Sequence, residues 1–222
     1  ALLGVLFGLC TIAWPYANQF FGEPLSGLCL LGCVFALIMW RQTQRVRWMV
    51  VAGTEAGLVI ATAAVHLVLI AVVGAYAVGG GVNMWQRSGR FGEPFSLRQL
   101  ASGIIAFALP VLVAGALLLW YNEVRFSNVL ETGYHFESGE GFTTPLTQGV
   151  YGLILSPYRG LLWHTPLLFA SLLGFIPVLR RLRFDGALIG TVSVALVVMY
   201  GVWWMWWGGF AWGPRFLVPM TA

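Results

Sequence analysis

The run Val50–Val78, VVAGTEAGLVIATAAVHLVLIAVVGAYAV, decides how often this chain crosses a membrane. It is apolar except for Thr54, Glu55, Thr62 and His66. As one helix it would be about 45 Å long, too long for one crossing without strong tilt. As two crossings each would be about 22 Å, which needs local bilayer thinning or a broken pair. The arginines discriminate. One crossing leaves six on each side. Two crossings place nine on one side (Arg41, Arg45, Arg47, Arg87, Arg90, Arg98, Arg180, Arg181, Arg183) and three on the other (Arg125, Arg159, Arg215). Basic residues gather on the cytoplasmic side of membrane proteins. Two crossings are therefore expected, although no Gly or Pro breaks the run between Thr62 and His66.

The surrounding chain is of the same kind. Of 222 residues 59% are hydrophobic and 9% charged, with a mean hydropathy of +0.83. A soluble domain carries about 25% charge, so the composition is that of a polytopic membrane protein. All 12 basic residues are Arg, and no run of like charges points to nucleic acid. Cys10, Cys29 and Cys33 lie in apolar segments. No His or acidic partner is expected near them, so they are expected to be small buried hydrophobes, not a metal site or a disulfide.

Further spans are expected at about 1–14, 25–40, 101–120, 161–179 and 187–207. The expected fold is all-α, a polytopic transmembrane helical bundle of about seven complete or near-complete spans plus the start of another. It forms a single transmembrane domain over 1–222. The chain starts inside one apolar run and stops as another begins, so it is expected to be incomplete at both ends. Glu23-Pro24 has the character of a helix start, with acid at the positive end of the dipole and Pro at the first position. Ser96 and Gln99 have capping-box spacing. The phrase FGEP-x-S occurs at Phe21–Ser26 and Phe91–Ser96, and is taken as coincident capping and not a repeat.

Between two spans lies a long polar stretch, residues 121–166. It begins YNEVRFSNVLETGYHFESGEGFTTP and is expected to form an outer loop with a short juxtamembrane helix. Four of the eight acidic residues fall here (Glu123, Glu131, Glu137, Glu140), beside Arg125, Arg159, Tyr134, His135 and His164. Such a segment is a place for chemistry or recognition at a membrane surface, or is simply a solvated loop. Glu131, Tyr134 and His135 suit a hydrogen-bonding or metal cluster. Glu-x-x-x-His lacks a third ligand, so no metal or other cofactor is expected. Arg215, in GGFAWGPR, is a candidate for paired hydrogen bonds to a phosphate, or an interfacial anchor to headgroups. Arg125 and Arg159 are alternatives. Trp203, Trp204, Trp206, Trp207 and Trp212 form an interfacial belt or a sugar platform. Glu55 would lie mid-membrane, where a carboxyl is expensive and a partner is expected. On one continuous helix it would share a face with His66; across two crossings the pairing disappears.

Three segments in order carry a resemblance: YNEVRFSNVLETGY after a span, then SPYRGLLWHTPLL, then WWGGFAWGPRFLVP. They resemble motifs of integral-membrane glycosyltransferases of the GT-C class, among them the protein O-mannosyltransferases and the lipid A aminoarabinose transferases. AWPYANQFFGEPL resembles the short outer loop after the third span of that group. The resemblance implies an enzyme that moves a sugar from a polyprenyl-phosphate carrier to a lipid, glycan or protein acceptor. It implies an integral, multi-pass protein of the bacterial inner membrane, with its active face outside. By the resemblance, Arg215, Arg125 and Arg159 are candidates for the donor phosphate, and Tyr121, Asn122, Glu131, Tyr134 and His135 belong to the substrate loop. Glu23 is a possible second acidic group. The principal base of the group lies in an outer loop upstream of this chain, so no transfer is expected from the chain alone. Ser127-Asn128-Val129 departs from the Gly-x-Pro common in the group. The alternative of another class is a transporter or flippase for a lipid-linked sugar, which needs no base.

Overall fold

The computed structural model describes residues 2–91, 95–131 and 137–221, and among these every regular element is helical. Ten α-helices follow in order: α1 Leu2–Cys10, α2 Ala13–Tyr16, α3 Glu23–Thr43, α4 Arg47–Thr62, α5 Leu67–Phe91, α6 Leu97–Phe126, α7 Leu146–Ile154, α8 Leu161–His164, α9 Leu167–Arg181 and α10 Arg183–Gly201. Short 3-10 turns occupy Ala64–His66 and Arg215–Thr221.

Among the described residues, four helical segments are long and apolar enough to cross a membrane: Glu23–Thr43, Ala64–Ser88, Leu97–Phe126 and Arg183–Gly201. The protein is an all-helical chain of membrane type. The other expected spans are shorter. The first is a helix of 9 residues, α4 has 16 and α9 has 15.

The run Val50–Val78 is broken, and without Gly or Pro. Ala63 is extended (φ −162°, ψ 127°) and ends α4. His66, 2% exposed, takes over the capping role, its Nδ1 lying 3.2 Å from the Val59 carbonyl oxygen and 3.3 Å from Thr62 Oγ1. A carbonyl that has lost its helical donor is thereby satisfied from four residues beyond the helix end. The polar stretch expected after Val78 remains helical to Phe91. Ser96 then closes a full capping box with Gln99 at the start of α6. α6 runs six residues past Trp120, so the first residues of the polar stretch expected as a loop are its last turns.

The chain forms two compact units, one of Ala1–Leu28 with His135–Ala222, the other of Cys29–Tyr134. In the second unit α4 crosses α6 closely. Gly53-x-x-x-Gly57 supplies the contact: a Cβ at Gly53 would strike the Phe107 carbonyl, and one at Gly57 would meet Ala114 Cβ at 2.7 Å. Small residues four apart let helix backbones touch. Trp40, 1% exposed, fills a notch beside Gly81 and Gly103 and meets Phe95 edge-on.

The same unit corrects one expectation. Cys29 and Cys33 do have an acidic neighbour. Glu55 lies within hydrogen-bonding reach of Cys29, and its Cδ would sit 3.2 Å from a Cβ on Gly32. The absent side chain of Gly32 makes room for the carboxyl, so Glu55 is partnered from α3 and not by His66. Both cysteines are buried and free, whereas Cys10, also expected to be buried, is exposed.

In the first unit α9 and α10 form a hairpin at Leu182, with Gly186 and Gly190 of α10 facing Leu179 and Phe175. Helix α7, within the polar stretch 121–166, packs on the end of α10, where Gly149 meets the Gly201 carbonyl and Gly152 meets the Trp206 ring. Thr144 fastens the loop beside it, its N donating to Val202 O at 3.1 Å and its Oγ1 to Trp203 O at 2.9 Å.

Candidate functional site

Beyond Gly201 the backbone leaves the helix and folds back as the segment 202–214. Gly208, Gly209 and Gly213 have φ of 77°, 68° and 63°. This left-handed region is open to Gly at no steric cost. The resulting loop turns its carbonyl groups inward and brings together residues from four parts of the first unit.

Arg159, from SPYRG, is 9% exposed. Its Nη2 donates to Gly209 O at 3.1 Å and to Tyr158 Oη at 3.3 Å, and its Nη1 to Gly213 O at 3.4 Å. The Tyr158 ring covers the guanidinium, with Cζ 4.7 Å from the ring centroid. Its Nε is shielded from solvent and meets no acceptor among the described residues. No carboxylate among them pairs with Arg159.

Arg215, from GPR, stands at the other end of the same loop. Its Nε lies 2.9 Å from Glu23 Oε1 in an ion pair. Phe21 and Phe216 lie on its guanidinium, at 4.6 and 4.8 Å from Cζ. Phe216 stacks flat on Tyr200 at 4.5 Å, and Phe21 meets Tyr16 edge-on at 5.7 Å. Glu23 thus serves both as the first residue of α3 and as a partner of Arg215.

Two further residues tie the loop down. Tyr16, 1% exposed, donates from Oη to Trp212 O at 2.7 Å. Burial pushes its phenol up to about 12; Arg215 and Arg159 pull downward and Glu23 adds to the rise. His164 packs its ring edge-on to Trp212 at 4.7 Å, and its Cδ2 lies 2.9 Å from where a Cβ on Gly213 would stand. The His164 Nδ1 is 2.8 Å from Gly160 O. A carbonyl only accepts, so Nδ1 carries the hydrogen in this contact.

The electrostatic result is simple. Two guanidinium groups face one carboxylate, and the deeper of the two has only neutral acceptors, at long distances. Charge-assisted contacts normally close to about 2.7–2.9 Å. A buried charge held this loosely is costly unless an anion completes it.

Of the residues expected from sequence, the fold therefore brings Arg159, Arg215 and Glu23 into one cluster. Arg125, Tyr121, Asn122 and Glu131 belong to the other unit and form a local network there. Arg125 Nη1 donates to Tyr121 Oη at 2.9 Å, and Asn122 Nδ2 to Val129 O at 3.2 Å. Glu131 N donates to Asn128 O at 3.2 Å. Ser127, standing where the resembling segments have Gly, takes φ 55° and ends α6 in the conformation glycine favours. Tyr134 and His135 lie outside the described residues. No group of three or more metal-ligating side chains occurs among the described residues. Sequence reasoning missed Tyr16 and Tyr158, and took Trp212 only as part of an interfacial belt or sugar platform; their roles depend on contacts with a distant loop or a neighbouring guanidinium.

In comparisons with known proteins, no family model matches the chain, and neither curated proteins nor solved structures give a match.

Proposed function

We propose that this chain serves membrane glycosyl transfer, with the sugar taken from a polyprenyl-phosphate donor at the outer face of the bacterial inner membrane. Arg159 and Arg215 hold the donor phosphate. The supporting observation is the excess positive charge around the Gly208–Gly213 loop, centred on a buried Arg159 with no carboxylate partner. The two arginines come from two segments that carry the family resemblance, which separately supports the assignment. In this proposal the shorter helices α1, α4 and α9 join the four long segments in making about seven crossings. The acceptor is a lipid, glycan or protein at the same face.

A paired guanidinium–phosphate contact in a partly dry site contributes roughly 1.5–3 kcal/mol. Binding of a polyprenyl-phosphate sugar to the purified protein in detergent should therefore weaken about ten- to hundredfold in Arg159→Ala and in Arg215→Ala. Arg215→Lys should recover part of the loss, because an ammonium keeps the charge and loses the planar fork. Wild-type affinity in both Ala variants would refute the assignment. Movement of intact donor across sealed vesicles, without release of polyprenyl phosphate to any acceptor, would favour the transporter alternative.

A further inference from the structure

We infer that the Tyr158 hydroxyl occupies, in the free protein, the position on Arg159 that a phosphate oxygen takes on binding. Tyr158 is thus an internal competitor for the anion. The inference rests on the assignment of Arg159 to the donor phosphate and adds how access to it is controlled.

Three observations carry it. First, Arg159 is under-coordinated. Its Nη contacts are 3.1, 3.3 and 3.4 Å, and its shielded Nε has no acceptor among the described residues. Second, its partners differ in kind. The Gly209 and Gly213 carbonyls belong to a loop fixed by Tyr16 and His164. Tyr158 instead is 67% exposed, so its ring is the side of the cage that faces solvent. Third, Tyr158 makes two contacts with the same guanidinium: the ring lies over Cζ at 4.7 Å and Oη receives from Nη2 at 3.3 Å. A phenolic oxygen is a neutral acceptor. A phosphate oxygen carries charge and binds the same donor at shorter range and more strongly. Exchange of one for the other needs only a rotation of an exposed side chain, a motion of nanoseconds. The buried carbonyl cage stays in place.

The sign of the predicted effect is unusual. Removing a hydroxyl that merely supports the site should weaken anion binding. Removing one that competes with the anion should strengthen it. Tyr158→Phe keeps the ring over the guanidinium and deletes only the competing oxygen. Farnesyl phosphate, the lipid-borne probe, and inorganic phosphate, the free one, would be titrated into the purified protein in detergent. Tyr158→Phe should bind farnesyl phosphate about two- to tenfold more tightly than wild type, the size of one modest hydrogen bond. A matching gain for inorganic phosphate would show that the headgroup alone is read; a gain confined to farnesyl phosphate would show that the lipid chain is needed to reach the site. The gain should vanish when Tyr158→Phe is combined with Arg159→Ala.

Unchanged or weaker binding of both probes by Tyr158→Phe overturns the inference, as does a gain that survives in the double variant. Failure of the underlying assignment has a different signature: Arg159→Ala alone would then bind farnesyl phosphate like wild type. Near-ultraviolet circular dichroism of each variant, compared with wild type, separates loss of binding from loss of fold.

Discussion

Tyr16 shows how one side chain links burial, loop geometry and charge. Its phenol is raised by burial, so the folded protein holds it neutral. An unfolded chain releases that proton near pH 10, the ordinary value for tyrosine. Above that pH the folded state binds more protons than the unfolded one, and stability falls as pH rises. The stabilisation is complete below pH 10 and is lost between about pH 10 and 12. Alkaline unfolding followed by circular dichroism in detergent should show this loss in wild type and a smaller one in Tyr16→Phe. At neutral pH the same variant should be less stable by about 1 kcal/mol, because the Trp212 carbonyl loses its donor. None of this was legible in sequence. Tyr16 and Trp212 are partners across 196 positions, and nothing local announces their pairing. Glu23 was half legible: acid followed by Pro announces a helix start, but its ion pair with Arg215 depends on how the chain returns.

Among the elements, the contact between α4 and α6 sets the tightest limit on side-chain size. Gly53→Ala would place a methyl group against the Phe107 carbonyl, and overpacking of this kind costs about 1–3 kcal/mol. Gly115→Ala on α6 is the matched control, since nothing lies within 4 Å of its added Cβ. There the change should stabilise, by up to about 1 kcal/mol of helix propensity. Thermal unfolding in detergent, read by circular dichroism, should move in opposite directions for the two variants. Local signals located helix starts well, as at Ser96, because a capping box is complete within four residues. The break at Ala63 carried no such signal within the segment itself. It was inferred from the balance of arginines, and its physical support is the pairing of His66 with the end of α4. Gly53-x-x-x-Gly57 is plain as a spacing, yet spacing does not say which helix it meets.

For the whole molecule the open variable is sidedness. The nine-to-three division of arginines predicts residue 137 outside and residue 181 inside. Both positions are exposed, which suits them to single-cysteine labelling in a cysteine-free background. An impermeant thiol reagent applied to sealed cells should modify a cysteine at 137 and spare one at 181. The reverse pattern would invert the arrangement and move the Arg159 cluster to the cytoplasmic face. His66 is a poor reporter, being buried. The helical class was legible from composition alone, since apolar content on this scale leaves few other folds. The number of crossings was less legible, because hydropathy marks apolar runs and not where they bend. Helix α9, for example, starts only at Leu167, where the apolar pattern begins at about residue 161.

The column of rings through Arg215 has a consequence for the entropy of recognition. A long arginine side chain loses up to about 2 kcal/mol of rotamer freedom when it is fixed. Here Phe21, Phe216 and Glu23 already hold it, so that loss belongs to folding and is absent from each binding event. Two rings lie on the guanidinium and its Nε is paired with Glu23, which leaves the two Nη groups as the donors for a further partner. On the proposal above, the donor phosphate would meet a rigid, oriented fork there, and affinity could come from few contacts. A lysine at 215 would have to order its four-carbon stem at every encounter.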